Sequence, residues 1–177
     1  MEGNKNKPRA LLLFGAPCSG KTTFGQRFAE KYHLAYYNFD ELAEEYKFSR
    51  EVILIILEQI LKTNQNIIFE GGLNTEKQRM EVRNTIRNSS YEPALIWIQT
   101  DIATIRNRLK NKFRSVKKAR EFYDSAIKAI EAPAETEHAI ILSGKHTFET
   151  QSRHVLAGLA GMAVEQQKKK AKKINLG

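Results

Sequence analysis

An α/β fold built on a five-stranded parallel sheet is predicted by two observations. Short apolar runs alternate with longer segments of helical spacing, which is the pattern of strands joined by crossover helices. The runs are apolar at nearly every position rather than every second one, as suits strands covered on both faces. A length of 177 residues, 41% of them hydrophobic, suits one compact domain.

In chain order the five runs are "ALLLFG", "AYYNF", "NIIFEG", "ALIWIQ" and "HAIILSG". Helices are predicted over 22–32, 40–64, 75–88, 102–113, 119–131 and 147–167. The second contains "VILIILEQIL", whose length and flanking acids favour a helix over a strand, broken near Phe48 and Ser49. Residues 1–8 read as an N-terminal extension and 9–164 as the domain. Residues 165–177 lose apolar periodicity and read as a solvated or frayed basic tail. Trp97, in the fourth run, reads as core, and of Tyr36 and Tyr37 one is expected to face the core and the other an acceptor.

No segment approaches the roughly 18 consecutive apolar residues of a membrane span, so the chain reads as soluble with no membrane partner. Its single cysteine, Cys18, excludes an internal disulfide and a multi-cysteine metal site and fits a reducing compartment, the cytoplasm by default. The formal charge of +9 is concentrated in two places, a run from Arg106 to Arg120 with eight basic residues and no acid, and the tail with five lysines. The rest of the chain is slightly acidic, so the charge does not mark the whole body as a nucleic-acid binder.

The joint between the first strand and the first helix carries the chemistry. Gly15, Ala16, Pro17, Cys18, Ser19, Gly20, Lys21 and Thr22 match G-x-x-x-x-G-K-[ST] in the strand-to-helix context that this motif requires. The predicted architecture is therefore a three-layer P-loop NTPase fold. The glycines let the backbone approach a triphosphate, successive N–H groups form a nest, and the helix dipole adds to it. Lys21 is placed to reach the β- and γ-phosphates of ATP, Thr22 to ligate Mg²⁺, and Thr23 to donate to the α-phosphate. Cys18 reads as a small residue of the loop.

Glu70 ends the third run, where a carboxylate would hold a water on Mg²⁺, and two glycines after it leave room for ligand. Asp40 ends the second run. Ligands of open parallel sheets bind at the carboxyl ends of the strands, so Asp40 is a candidate base for an acceptor hydroxyl; capping of its helix is the alternative role, and the two are compatible. The basic run reads as a short lid, about 106–120, whose arginines would stabilise charge spreading over the transferred phosphoryl group, or else as a solvated face. His33, His138, His146 and His154 show no metal-ligand spacing.

Together these residues resemble the nucleoside- and polynucleotide-kinase-like branch of P-loop proteins, within the wider AAA family ATPase grouping. That branch includes adenylate, shikimate and gluconate kinases, polynucleotide 5′-kinases and zeta-type toxins. The resemblance rests on "FGAPCSGKTTFGQRFAEKYHLAYYNFDELAEE", "IIFEGGLNTEKQRMEVRN", "LIWIQTDIATIRNRL" and "AIEAPAETEHAIILSG". It implies Asp40 as the catalytic or acceptor-binding carboxylate, Asn74 and Arg79 as acceptor-binding residues, and Arg106 and Arg114 as the lid arginines. It also implies that Gly144 to Thr147 border the adenine. Glu70 stands where many members have Asp, and the Phe-Pro-Arg of adenylate kinases is missing after the third strand, which opposes an AMP acceptor.

The expected activity is Mg²⁺-dependent transfer of the γ-phosphate of ATP to a hydroxyl of a small molecule, a nucleotide or a polynucleotide 5′ end. The alternative is a P-loop ATPase acting on a protein or nucleic-acid partner. A GTP switch is opposed, because "NKFR" at Asn111 supplies Arg114 where a guanine-reading motif needs Asp. No aromatic cluster accompanies the lysines, so any nucleic-acid contact would be sequence-independent. Monomer and dimer both remain open.

Overall fold

Five strands, β1 (Arg9–Phe14), β2 (Ala35–Asn38), β3 (Ile67–Glu70), β4 (Glu92–Gln99) and β5 (Ile140–Ser143), form one parallel sheet in the order β2-β3-β1-β4-β5. The structure, a computed structural model, describes residues 7–174, and side chains over 7–165. Adjacent residues of β1 point to opposite cores, which explains its unbroken apolar run. Leu12 and Phe14 face one side together with Phe69; Leu11 and Leu13 face the other with Ile68.

The first side is covered by α2 (Phe39–Tyr46), α3 (Arg50–Leu61) and α4 (Glu76–Asn88), which contribute Phe39, Leu57, Val82 and Ile86. The second is covered by α1 (Lys21–Tyr32) and α7 (Phe148–Ile174) through Phe24, Phe28, Phe148 and Val155. This is the predicted three-layer arrangement, and each fully buried side chain of this size contributes about 1.5–3 kcal/mol. A third, smaller core joins α5 (Ile102–Phe113) to α6 (Val116–Lys128) through Ile105, Leu109, Ala119 and Tyr123. Ala16 and Cys18 of the glycine-rich loop lean on this last cluster, so the basic segment is a helical hairpin seated beside the loop.

The chain breaks between α2 and α3 close to where the sequence predicts. Lys47 turns left-handed at φ 55°, and Ser49 caps α3 by accepting from the Val52 N–H. Three elements depart from expectation. β4 starts at Glu92, two residues early, because Arg9 and Glu92 pair in register at the sheet's lower edge. α6 starts at Val116 rather than 119, capped by Ser115. α7 runs on to Ile174, where a frayed tail is predicted; its lysines, glutamines and alanine are good helix formers that sustain a helix without an apolar stripe. Residues 1–6 of the extension, 175–177 of the tail, and the tail side chains on which the solvated reading rests lie outside the described residues. No helix among the described residues is long and apolar enough to cross a membrane.

Candidate active site

The sheet order brings three strand ends side by side, those of β2, β3 and β1, and Lys21, Thr22, Asp40 and Glu70 lie at or just past them. Gly15 leaves β1 at φ 148°, and a Cβ there would strike the Ile98 carbonyl oxygen of neighbouring β4, so only glycine lets the loop turn off the sheet this closely. The loop then turns its carbonyls onto protein donors. Ala16 C=O accepts from the Ser19 N–H (3.0 Å), Cys18 C=O from Arg108 Nη1 (2.9 Å), and Ser19 C=O from Thr100 Oγ1 (2.9 Å).

The helix that follows is built differently from its neighbours. α2 to α6 each begin with a side-chain cap, from Asn38, Ser49, Thr75, Asp101 and Ser115. α1 begins at Gly20 with no side-chain cap and no acid in its first turn. Its leading N–H groups and positive dipole end are therefore offered to an anion.

Glu70 lies 2% exposed at the end of β3, and both its oxygens are tethered. Thr22 Oγ1 donates to Oε1 at 2.8 Å and the Tyr36 hydroxyl donates to Oε2 at 2.7 Å, while Lys21 Nζ stands 4.0 Å from Oε1. Burial, followed by the bond to the Glu70 carboxylate, pushes the Tyr36 hydroxyl pKa far up, so Tyr36 is a donor throughout the working pH range. Lys21 Nζ also reaches Ala16 C=O at 3.4 Å.

Asp40 sits exposed just past β2, in the first turn of α2. Asn38, not Asp40, caps that helix. The Asp40 carboxylate instead accepts from the Gly72 N–H at 3.0 Å. Gly71, at φ 110°, passes so near Asp40 that a Cβ would collide with its backbone nitrogen, so the glycine pair after β3 fixes where this carboxylate lies.

A cavity of about 480 Å³ opens beside the loop, lined by Cys18, Gly20, Lys21, Thr22, Thr23 and Arg27 from the loop and α1 and by Arg108, Lys112, Gly144 and His146 from α5 and the turn after β5. The turn after β5 thus comes to the glycine-rich loop through Gly144 and His146. The exposed Lys145 ties that turn to the start of α5 through a 2.8 Å ion pair with Asp101, and bonds from Lys145 and then Thr104 hold the Asp101 carboxyl well below the usual range. A larger hollow of about 730 Å³, walled by Trp97, Tyr123 and several isoleucines, touches the loop only at Ala16. Trp97 itself stacks on Phe14, centroids 5.9 Å apart, as the core reading expects.

Two expectations are corrected. Arg106 lies over the Tyr123 ring, 5.2 Å from its centroid, and Arg114 ends α5 in the left-handed region beside Lys110 and Ser115. Neither lines the cavity; Arg108 and Lys112 do. Residues 108 and 112 share a helix face, whereas 106 lies about 200° around from 108. The second correction concerns Arg79, which is 0% exposed. Its guanidinium is consumed by Glu137, at 2.9 and 2.8 Å, and by the carbonyls of Leu73, Asn74, Glu131 and Ala132. It is a strut between α4 and the turn before β5 and has no donor to spare for an acceptor. Asn74 enters this network through its main chain, at the foot of α4.

No family model and no curated protein matches the chain. Solved structures do. A gluconokinase from Sinorhizobium meliloti 1021 aligns with TM-score 0.73 at 15% identity, over 93% of this chain and 99% of that one. The APS kinase CysC of Mycobacterium tuberculosis, solved with AMPPNP and APS, gives 0.66 at 13% identity over 87% and 98%. Kti12 of Chaetomium thermophilum, solved with ADP-AlF3, gives 0.65 at 14% identity over 86% and 97%. The fold is that of the P-loop kinases.

The residues of this P-loop kinase fold suit Mg²⁺ and a nucleotide. Because Thr22 spends its proton on Glu70, its oxygen lone pairs are free for a cation. Each Glu70 oxygen keeps capacity for a metal-bound water. Mg²⁺ in phosphate sites takes one or two protein groups and completes its shell with phosphate and water. The uncapped α1 terminus and the cavity cations Lys21, Arg108 and Lys112 suit the polyphosphate.

Proposed function

We propose that this protein is an ATP-dependent kinase that transfers the γ-phosphoryl group to an acceptor hydroxyl. The observation that carries the reading is the convergence of an uncapped glycine-rich helix start, the Lys21–Thr22–Glu70 group and the Asp40 carboxylate on three neighbouring strand ends.

In this reading the loop N–H groups and Lys21 bind the β- and γ-phosphates, and Thr23, exposed in the cavity wall, donates to the α-phosphate. Arg108 and Lys112 add charge from the hairpin, and the Gly144 turn borders the base. Bound Mg²⁺, held by Thr22 and through water by Glu70, supplies neutralisation of phosphate charge. Asp40 accepts the acceptor's proton as its oxygen bonds to the γ-phosphorus. The bond to the β–γ bridging oxygen breaks, and ADP leaves with that oxygen's electron pair. The acceptor approaches from the β2 and β3 side, where the Asp40 carboxylate meets the Gly72 N–H.

The assignment of roles is tested by two substitutions. Lys21→Ala should weaken ATP binding and lower transfer, whereas Asp40→Asn should keep ATP affinity and lose about 10²–10⁴-fold in transfer, as read by calorimetry and by labelled phosphate in product. An Asp40→Asn enzyme with undiminished transfer would remove the base from this scheme.

A further inference from the structure

We propose that Tyr36 is a positioning residue that holds the Glu70 carboxylate in its Mg²⁺-serving orientation and keeps it off Lys21. The inference rests on the kinase reading and assigns a role to a residue outside the phosphate-loop motif.

The register explains how Tyr36 comes to this place. Tyr36 pairs with Ile68 and Asn38 with Glu70, so Tyr36 and Glu70 lie on one face of the sheet, diagonal across β2 and β3. That face is the one covered by α1, from which Thr22 reaches the other Glu70 oxygen. Glu70 is consequently held from two elements at once, Tyr36 on Oε2 at 2.7 Å and Thr22 on Oε1 at 2.8 Å.

The alternative partner is close. Lys21 Nζ is 4.0 Å from Oε1, and a buried carboxylate released from one tether would turn toward that ammonium. A tighter pair would occupy the lysine needed by phosphate and rotate away the oxygens needed by metal-bound water. The Tyr36 tether opposes that collapse, as outer partners of metal-site carboxylates orient the groups they touch.

α1 is cut to fit the ring. Gly25 lies one turn beyond Thr22 on the sheet-facing side, and a Cβ there would stand 2.7 Å from Tyr36 Cε2 and 2.7 Å from Leu13 Cδ1. Glycine is a poor helix former. Its use in mid-helix gives the Tyr36 ring the space that brings its hydroxyl to Glu70.

The test uses the full chain and measures ATP affinity by calorimetry in EDTA and across a MgCl₂ titration, with thermal unfolding recorded for each variant. Tyr36→Phe, which keeps the ring and removes the hydroxyl, should unfold cooperatively and need about tenfold more Mg²⁺ for half of the Mg²⁺-dependent gain in affinity. Gly25→Ala, which displaces the ring, should shift the Mg²⁺ midpoint in the same direction. A folded Tyr36→Phe protein with the wild-type midpoint would overturn the role of Tyr36 while leaving the kinase reading intact. Wild-type protein that binds no ATP, or binds it without regard to Mg²⁺, would overturn both.

Discussion

Arg108 shows what a single side chain's direction decides. Eight basic residues lie between Arg106 and Arg120, and among the four on α5 helical phase separates Arg108 and Lys112, at the cavity, from Arg106 on the far side. Arg108 donates to the Cys18 and Gly144 carbonyls, at 2.9 and 3.5 Å, which places its charge between the loop and the post-β5 turn. Arg108→Ala should therefore weaken ATP binding about ten- to a hundredfold, the scale of charge-assisted hydrogen bonds, whereas Arg106→Ala should bind ATP like the wild type. Equal losses in the two variants, measured by calorimetry, would contradict this division. Lys21, Thr22, Asp40 and Glu70 were legible because motif spacing and strand ends locate them without tertiary knowledge. Arg108 was not, since a charge run carries no mark of which face meets the loop. Arg79 did carry a signal: with Val82 and Ile86 it falls on the buried stripe of α4, so its spacing marked it for the interior.

At the scale of elements, the Arg79–Glu137 pair is the main polar joint between α4 and the 3₁₀ turn Glu135–Glu137 ahead of β5. Burial works to raise the Glu137 pKa, but the Arg79 bonds, the Ala134 N–H and the charge of Arg83 outweigh it and hold the carboxyl below its ordinary value of 4.5. A depressed folded pKa means that the stabilisation is fully present above the unfolded value and is lost as pH falls through the folded one. Glu137→Gln, which leaves a buried guanidinium without its counter-charge, should cost about 3–5 kcal/mol near pH 7. Urea unfolding at pH 7 and pH 3 checks this, and the gap from wild type should narrow at the lower pH; a gap of constant size would show that the ionised pair is not its source. The joint was invisible in sequence because its partners are 58 residues apart. Helix ends were more legible, since α5 begins after Asp101 and α3 after Ser49, both caps by residue type. The start of α6 was missed because its cap, Ser115, precedes the polar pair Lys117 and Lys118, so the apolar spacing becomes visible only at Ala119.

For the whole molecule, the order β2-β3-β1-β4-β5 turns a linear chain into one reaction face. It sets the Asp40 and Gly71–Gly72 side on one flank of the phosphate loop and the Arg108 and Gly144 side on the other. The five strands and their parallel sheet were legible because runs buried on both faces are apolar throughout. The length of α7 was not, because propensity rather than an apolar stripe carries its end. The separation of the Asp40 flank from the Arg108 flank depends on strand order, which no local pattern records.

The proposed reaction moves phosphate from ATP to a hydroxyl at this face. The direct measurement is Mg²⁺-dependent consumption of γ-labelled ATP with 5′-hydroxyl oligonucleotides, nucleosides, nucleoside monophosphates, sugars and amino-sugar nucleotides, with the label resolved by product. Label should appear on one acceptor class and be lost in Asp40→Asn. Release of free phosphate alone, indifferent to every acceptor, would contradict that reaction and point to an ATPase that works on a partner.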